Sequence, residues 1–138
     1  GMPNIYYGEE IALAGPYGST ERARYPMQWD ESSWNSSFFS LYTELGAMRN
    51  LHAETLAHGA YTFVHADAQS LAFARFDQDK AIVCVLSRSD ADLKLTLSND
   101  LLLINHVSYV LGGEVSCKSD AVCVHVGPRG SSIFVGSR

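Results

Sequence analysis

The second half of the chain is a succession of short β-prone runs punctuated by turn residues, and this pattern limits its fold more than any other feature. From residue 59 onward, runs of four to seven residues rich in Val, Ile, Leu, Phe and Tyr fall at 61–65, 71–76, 81–87, 92–97, 107–111, 114–117, 121–126 and 131–135. Within Leu93-Lys94-Leu95-Thr96-Leu97 the alternation is strict. Successive side chains of a strand point to opposite faces, so one face is core and the other wet. Asp77-Gln78-Asp79, Asp90-Ala91, Gly112-Gly113 and Lys118-Ser119-Asp120 separate the runs with residues that tolerate turn dihedrals. Eight such strands predict two packed antiparallel sheets, a β-sandwich with Greek-key connections.

The first part reads differently. Residues 4–7 form a brief apolar β-prone run ending at Gly8, with no local partner. Residues 15–35 read as an irregular loop broken by Gly15-Pro16, Gly18-Ser19 and Tyr25-Pro26. Phe38, Leu41, Tyr42, Leu45 and Met48 then recur at helical spacing, with Ser36 or Ser37 placed to cap the helix. Gly46 weakens that helix by about 1 kcal/mol relative to Ala. The expected organisation is therefore 1–58 as one strand, a loop and one helix, followed by a sandwich over 59–138.

Composition narrows the function classes. Hydrophobic residues make up 46% of the 138, enough for a core. The net charge is −5 and no basic run occurs, which argues against nucleic-acid and anionic-membrane partners. No apolar stretch is long enough to span a bilayer. The three cysteines lack zinc or CxxC spacing and are expected as free thiols, with Cys84 buried in its apolar run. Free thiols and the lack of a visible signal peptide tilt the expected compartment toward the cytoplasm. His52, His58, His65, His106 and His125 show no ligand-pair spacing, so neither a metal nor another cofactor is expected.

The most specific residues stand at the front. Gly1-Met2-Pro3-Asn4-Ile5-Tyr6-Tyr7-Gly8-Glu9-Glu10 resembles the last barrel strand and following turn of the α-amylase family of glycoside hydrolases. Ala23-Arg24-Tyr25-Pro26-Met27-Gln28-Trp29-Asp30 is similar to the Arg-x-Pro-Met-x-Trp-Asp segment of its branch containing neopullulanases, cyclomaltodextrinases, maltogenic amylases and oligo-α-glucosidases. Leu41-Tyr42 through Met48-Arg49 resembles the final barrel helix, with Gly46 at a position where the family has helix formers.

The resemblance implies the end of a (β/α)₈ barrel followed by a C-terminal β-domain. It also implies that the catalytic Asp, Glu and Asp motifs lie outside this chain, so no catalytic residue is carried over. Arg24 and Trp29 are the candidate substrate-binding residues, on the mouth side of the barrel in the intact enzyme. The plainer alternative is that Trp29 packs its loop and Arg24 pairs with a carboxylate. Glu9 and Glu10, or Asp90 and Asp92, are poor catalytic dyads: the first two are adjacent, and the others sit in a turn. The implied partners are the barrel domain of the parent enzyme and an α-glucan oligosaccharide. A second copy of the chain is a further one, bound through the exposed apolar face or the N-terminal strand. The β-domain is accordingly expected to stabilise and cover the barrel, or else to serve as a glucan-binding or interaction module.

Overall fold

A computed structural model describes residues 4–15 and 24–138. Residues 1–3 and 16–23, including Gly18-Ser19 and Ala23, lie outside the described residues. The chain divides into two compact units, Gly1–Leu51 and His52–Arg138.

In the first unit, short 3₁₀ turns at Glu9–Ile11 and Glu31–Ser33 precede helix α1, Ser36–Leu51. Residues 4–7 carry no strand, contrary to the sequence expectation. A lone strand leaves a row of backbone groups unpaired, and no described segment pairs with this one. The chain instead turns at Gly8, whose φ of 84° suits glycine. The helix cap is also one residue earlier than expected: the Asn35 side-chain oxygen accepts from the Phe38 N–H at 3.1 Å. Because α1 starts at Ser36, the capping oxygen must come from the residue before it. None of α1 is fully buried, and Phe38 and Leu41 of its apolar stripe are exposed.

The second unit opens with a short helix not legible in the sequence, α2, Ala53–His58. Eight strands follow: β1 Ala60–Ala66, β2 Ser70–Phe76, β3 Lys80–Ser87, β4 Leu93–Ser98, β5 His106–Leu111, β6 Glu114–Cys117, β7 Ala121–Val126 and β8 Ser131–Ser137. They form a five-stranded sheet in the order β1-β2-β3-β8-β5 and a three-stranded sheet in the order β4-β7-β6. All pairings are antiparallel.

Hairpins are local, and their turns explain themselves. Asp67 and Asp77 stand at the same position of the β1–β2 and β2–β3 loops. Each carboxylate accepts the N–H groups two and three residues on, at 2.7 and 2.6 Å for Asp67 and 2.9 and 3.0 Å for Asp77. Such side chains satisfy amides that a tight turn would otherwise leave free. Asp77 further ties α2 to the sheet by accepting from the Thr55 hydroxyl. At Gly112 and Gly113, φ values of 75° and 67° swing the chain from the large sheet to the small one. A Cβ on Gly113 would stand 2.4 Å from the His125 carbonyl oxygen, so a side chain is excluded there.

The two sheets share one core. Ala72, Ala74, Ala81, Val83, Val85 and Phe134 of the large sheet meet Leu97, Val122, Val124 and Val126 of the small one. Leu102 and Ile104, from the β4–β5 loop, close one end of this layer. Asn99 holds that loop: it accepts from the Ile104 N–H and donates to the Ile104 carbonyl, both at 2.8 Å.

The outer face of the large sheet is also apolar. Register places Phe63 opposite Phe73, Phe73 opposite Cys84, and Cys84 opposite Ile133. Tyr61, Phe63 and Leu86 on this face are 49%, 58% and 42% exposed. The three cysteines are free thiols. Cys84 is half-buried rather than buried, because it points to this outer face and not to the core; burial still pushes its thiol pKa up.

Phe134 has no exposed surface, so Phe134→Ala should cost about 3–5 kcal/mol, measured by urea unfolding of the two chains. Asp67 has its carboxyl held at about 2, chiefly by the Gln69 N–H. Its stabilising contribution is therefore complete above the unfolded value of 3.8 and is lost as pH falls towards about 2. The stability gap between the native chain and Asp67→Ala should be constant near neutrality and close through that acid window, as followed by circular dichroism.

Candidate functional site

The loop before α1 carries both residues singled out from the sequence. Tyr6 and Tyr7 stack with ring centres 4.5 Å apart, and the Tyr7 hydroxyl donates to the Tyr25 carbonyl at 2.8 Å. This bond draws residues 24–30 toward the N-terminal turn. Desolvation foremost raises the Tyr7 pKa, and the nearby positive charge of Arg24 opposes the rise. Asp30 caps the second 3₁₀ turn by accepting from the Ser32 N–H at 3.0 Å and the Ser32 hydroxyl at 2.7 Å. Those bonds hold its carboxyl below the usual range.

The two tryptophans differ in role. Trp34 donates its indole N–H to the Gln28 carbonyl at 2.8 Å and sits 5.1 Å from the Phe39 ring, so it packs the start of α1. Trp29 is 79% exposed. Such an aromatic surface adds nothing to the unit's own core. Arg24, five residues earlier, is also exposed, so both side chains are open to solvent.

Asp90 and Asp92 have different partners. Asp90 pairs with Arg129 at 2.6 Å, whereas Asp92 lies 3.6 Å from His125 Nε2. Glu9 and Glu10 share a single 3₁₀ turn. His65 Nε2 is 2.9 Å from the Ser70 hydroxyl and 3.2 Å from Asp67, which binds it into the β1–β2 turn. Burial lowers the His52 pKa, with the Lys80 charge acting in the same direction. Among the described residues no three His, Cys, Asp or Glu groups are placed to hold a metal ion.

A concavity that single-strand reading does not reveal lies on the outer face of the small sheet. Register aligns Lys94, His125 and Glu114 in one row and Thr96, Cys123 and Ser116 in the next. Together they line a groove of about 440 Å³.

With this geometry in view, the relatives are informative. No protein-family model matches the chain. It is 26% identical over 136 residues to a cyclomaltodextrinase of Geobacillus thermopakistaniensis, covering 97% of this chain and 23% of that one. It is 39% identical over 89 residues to neopullulanase 2 of Thermoactinomyces vulgaris, covering 63% of this chain and 15% of that one. The chain matches one part of the α-amylase family enzymes.

Among solved structures, the α-amylase of Geobacillus thermoleovorans complexed with acarbose superposes with a TM-score of 0.75 at 22% identity. That match covers all of this chain and 30% of the amylase, and it extends the agreement to the fold. The chain thus spans less than a quarter of the length of the family members matched in sequence.

Because Trp29 has so little contact with its own unit, Trp29→Ala should change stability by no more than about 0.5 kcal/mol. The same substitution should remove the iodide-accessible part of the tryptophan fluorescence, leaving the protected emission of Trp34.

Proposed function

We propose that this chain is the non-catalytic C-terminal portion of an α-glucan-acting glycoside hydrolase. In this reading residues 1–58 are the end of its (β/α)₈ barrel, and residues 59–138 are a β-domain that covers and stabilises the barrel. The observation that carries it is the outer face of the large sheet. A domain of this size has one core to fill, and the sandwich interior fills it. A second apolar face with Tyr61 and Phe63 half-exposed calls for a protein surface outside the chain. The matched cyclomaltodextrinase, more than four times longer, has the extra length to supply such a surface.

A sugar platform is a weaker reading of that aromatic face. Tyr61 and Phe63 meet edge to face at 77°, so they do not offer coplanar rings for stacking. Dimerisation through an N-terminal strand loses its basis, because residues 4–7 carry no strand. Arg24 and Trp29, as exposed residues of the loop before α1, belong in this reading to the substrate side of the intact barrel.

The partners of several carboxylates support the reading of a catalytically silent chain. Glycoside hydrolysis needs two carboxyls about 5–10 Å apart across one bond, free to exchange protons and attack. Here Asp90 is engaged by Arg129, while Asp67 and Asp77 are engaged by turn amides. Incubation of the chain with maltoheptaose should release no new reducing ends; hydrolysis by a sample free of other glycosidases would overturn the proposal. Phe63→Lys should leave the unfolding free energy within about 0.5 kcal/mol of the parent chain while lowering binding of an apolar dye. A large loss of stability would mean that this face serves the chain's own core.

A further inference from the structure

We propose that the groove on the small sheet is a low-affinity docking site for a short, neutral oligosaccharide. The inference draws on the proposed function for the ligand being a glucan; the site itself rests on geometry. The outer faces of the two sheets are chemically opposite. One presents aromatic and aliphatic side chains, while the other presents Lys94, Thr96, Glu114, Ser116, Cys123 and His125. The polar face of this three-stranded sheet forms a groove, open to water, with room for about 440 Å³. That volume falls in the range of small-molecule sites.

The side chains favour a neutral polyol over other ligands. Sugar hydroxyls both donate and accept, and the groove supplies a donor in Lys94, an acceptor in Glu114 and two hydroxyls, Thr96 and Ser116, that do both. The groove lining holds one Lys and one Glu, Asp92 lies 3.6 Å from His125, and the whole chain carries −5. A phosphate or other anion is disfavoured by that balance. The row from Lys94 to Glu114 crosses two strand spacings, about 10 Å, a span suited to a short oligosaccharide rather than one small polar molecule.

His125 lies at the centre of the row. Its Nε2 is 3.6 Å from Asp92 and its Nδ1 3.8 Å from Glu114, with the two carboxylates coming from opposite edges of the small sheet. Nε2 is buried and makes no hydrogen bond. In the proposed site the imidazole lines the floor, and Lys94, Thr96, Glu114 and Ser116 make the contacts. With no aromatic ring in the groove, affinity should be millimolar.

The test is a titration of the ¹⁵N-labelled chain with maltotriose, followed by amide chemical shifts. Saturable shifts confined to β4, β6 and β7, weakened about tenfold or more by Glu114→Gln and by Lys94→Ala, support the site. Both replaced groups are solvent-exposed, and retained spectral dispersion verifies that the variants fold. Absence of shifts into the tens of millimolar overturns it, as do shifts confined to the Arg24–Trp29 loop. Neither negative result bears on catalytic silence, which the reducing-end assay measures separately.

Discussion

Strand β3 sets the terms for the rest of the molecule because it is apolar on both sides. Ala81, Val83 and Val85 enter the sandwich core, while Ile82, Cys84 and Leu86 point the other way. Antiparallel sheets usually keep one face for water. A central strand of this kind fits only a sheet with something apolar on each side. The small sheet supplies one covering layer through Leu97, Val122, Val124 and Val126. On the other side Ile82 and its neighbour Val135 are already buried within the chain, while Cys84 is half-buried and Leu86 exposed, so the covering there is partial.

The division of labour between the sheets follows from the same parity. In β7, Val122, Val124 and Val126 are buried while the alternate positions face outward, and β4 and β6 repeat the pattern. The small sheet is therefore amphipathic and terminates the layering, whereas the large sheet continues it. The asymmetry leaves one sheet with an exposed aromatic surface and the other with a polar one.

All eight strands could be read from the sequence, because each is a short β-prone run, alternating in β4 and continuously apolar in β3, set off by turn residues whose chemistry is local. Which strand joins which sheet was not legible. β4 leaves for the small sheet, β5 returns, and β8 inserts between β3 and β5, choices made by long-range packing rather than by neighbouring residues. The run Leu101-Leu102-Leu103-Ile104 has strand-like composition but forms a loop. The Asn99 side chain pins it, and Leu103 adopts a positive φ of 52°. Residues 4–7 failed as a strand for the complementary reason: β propensity without a partner specifies nothing.

Site residues were legible in proportion to how far their role is local. Trp34 has a local role: its indole bond and its ring contact both fall within six residues of it, at the start of an apolar helix. Trp29 and Arg24 were singled out by a motif, not by physics; both are exposed. The groove was illegible because its lining comes from three strands whose register no single run specifies. Once the strands are paired, Lys94, His125 and Glu114 fall into one row across about 30 residues of sequence separation. A function that depends on a row of side chains across paired strands is written in the register, and the register appears only when the core has chosen its faces.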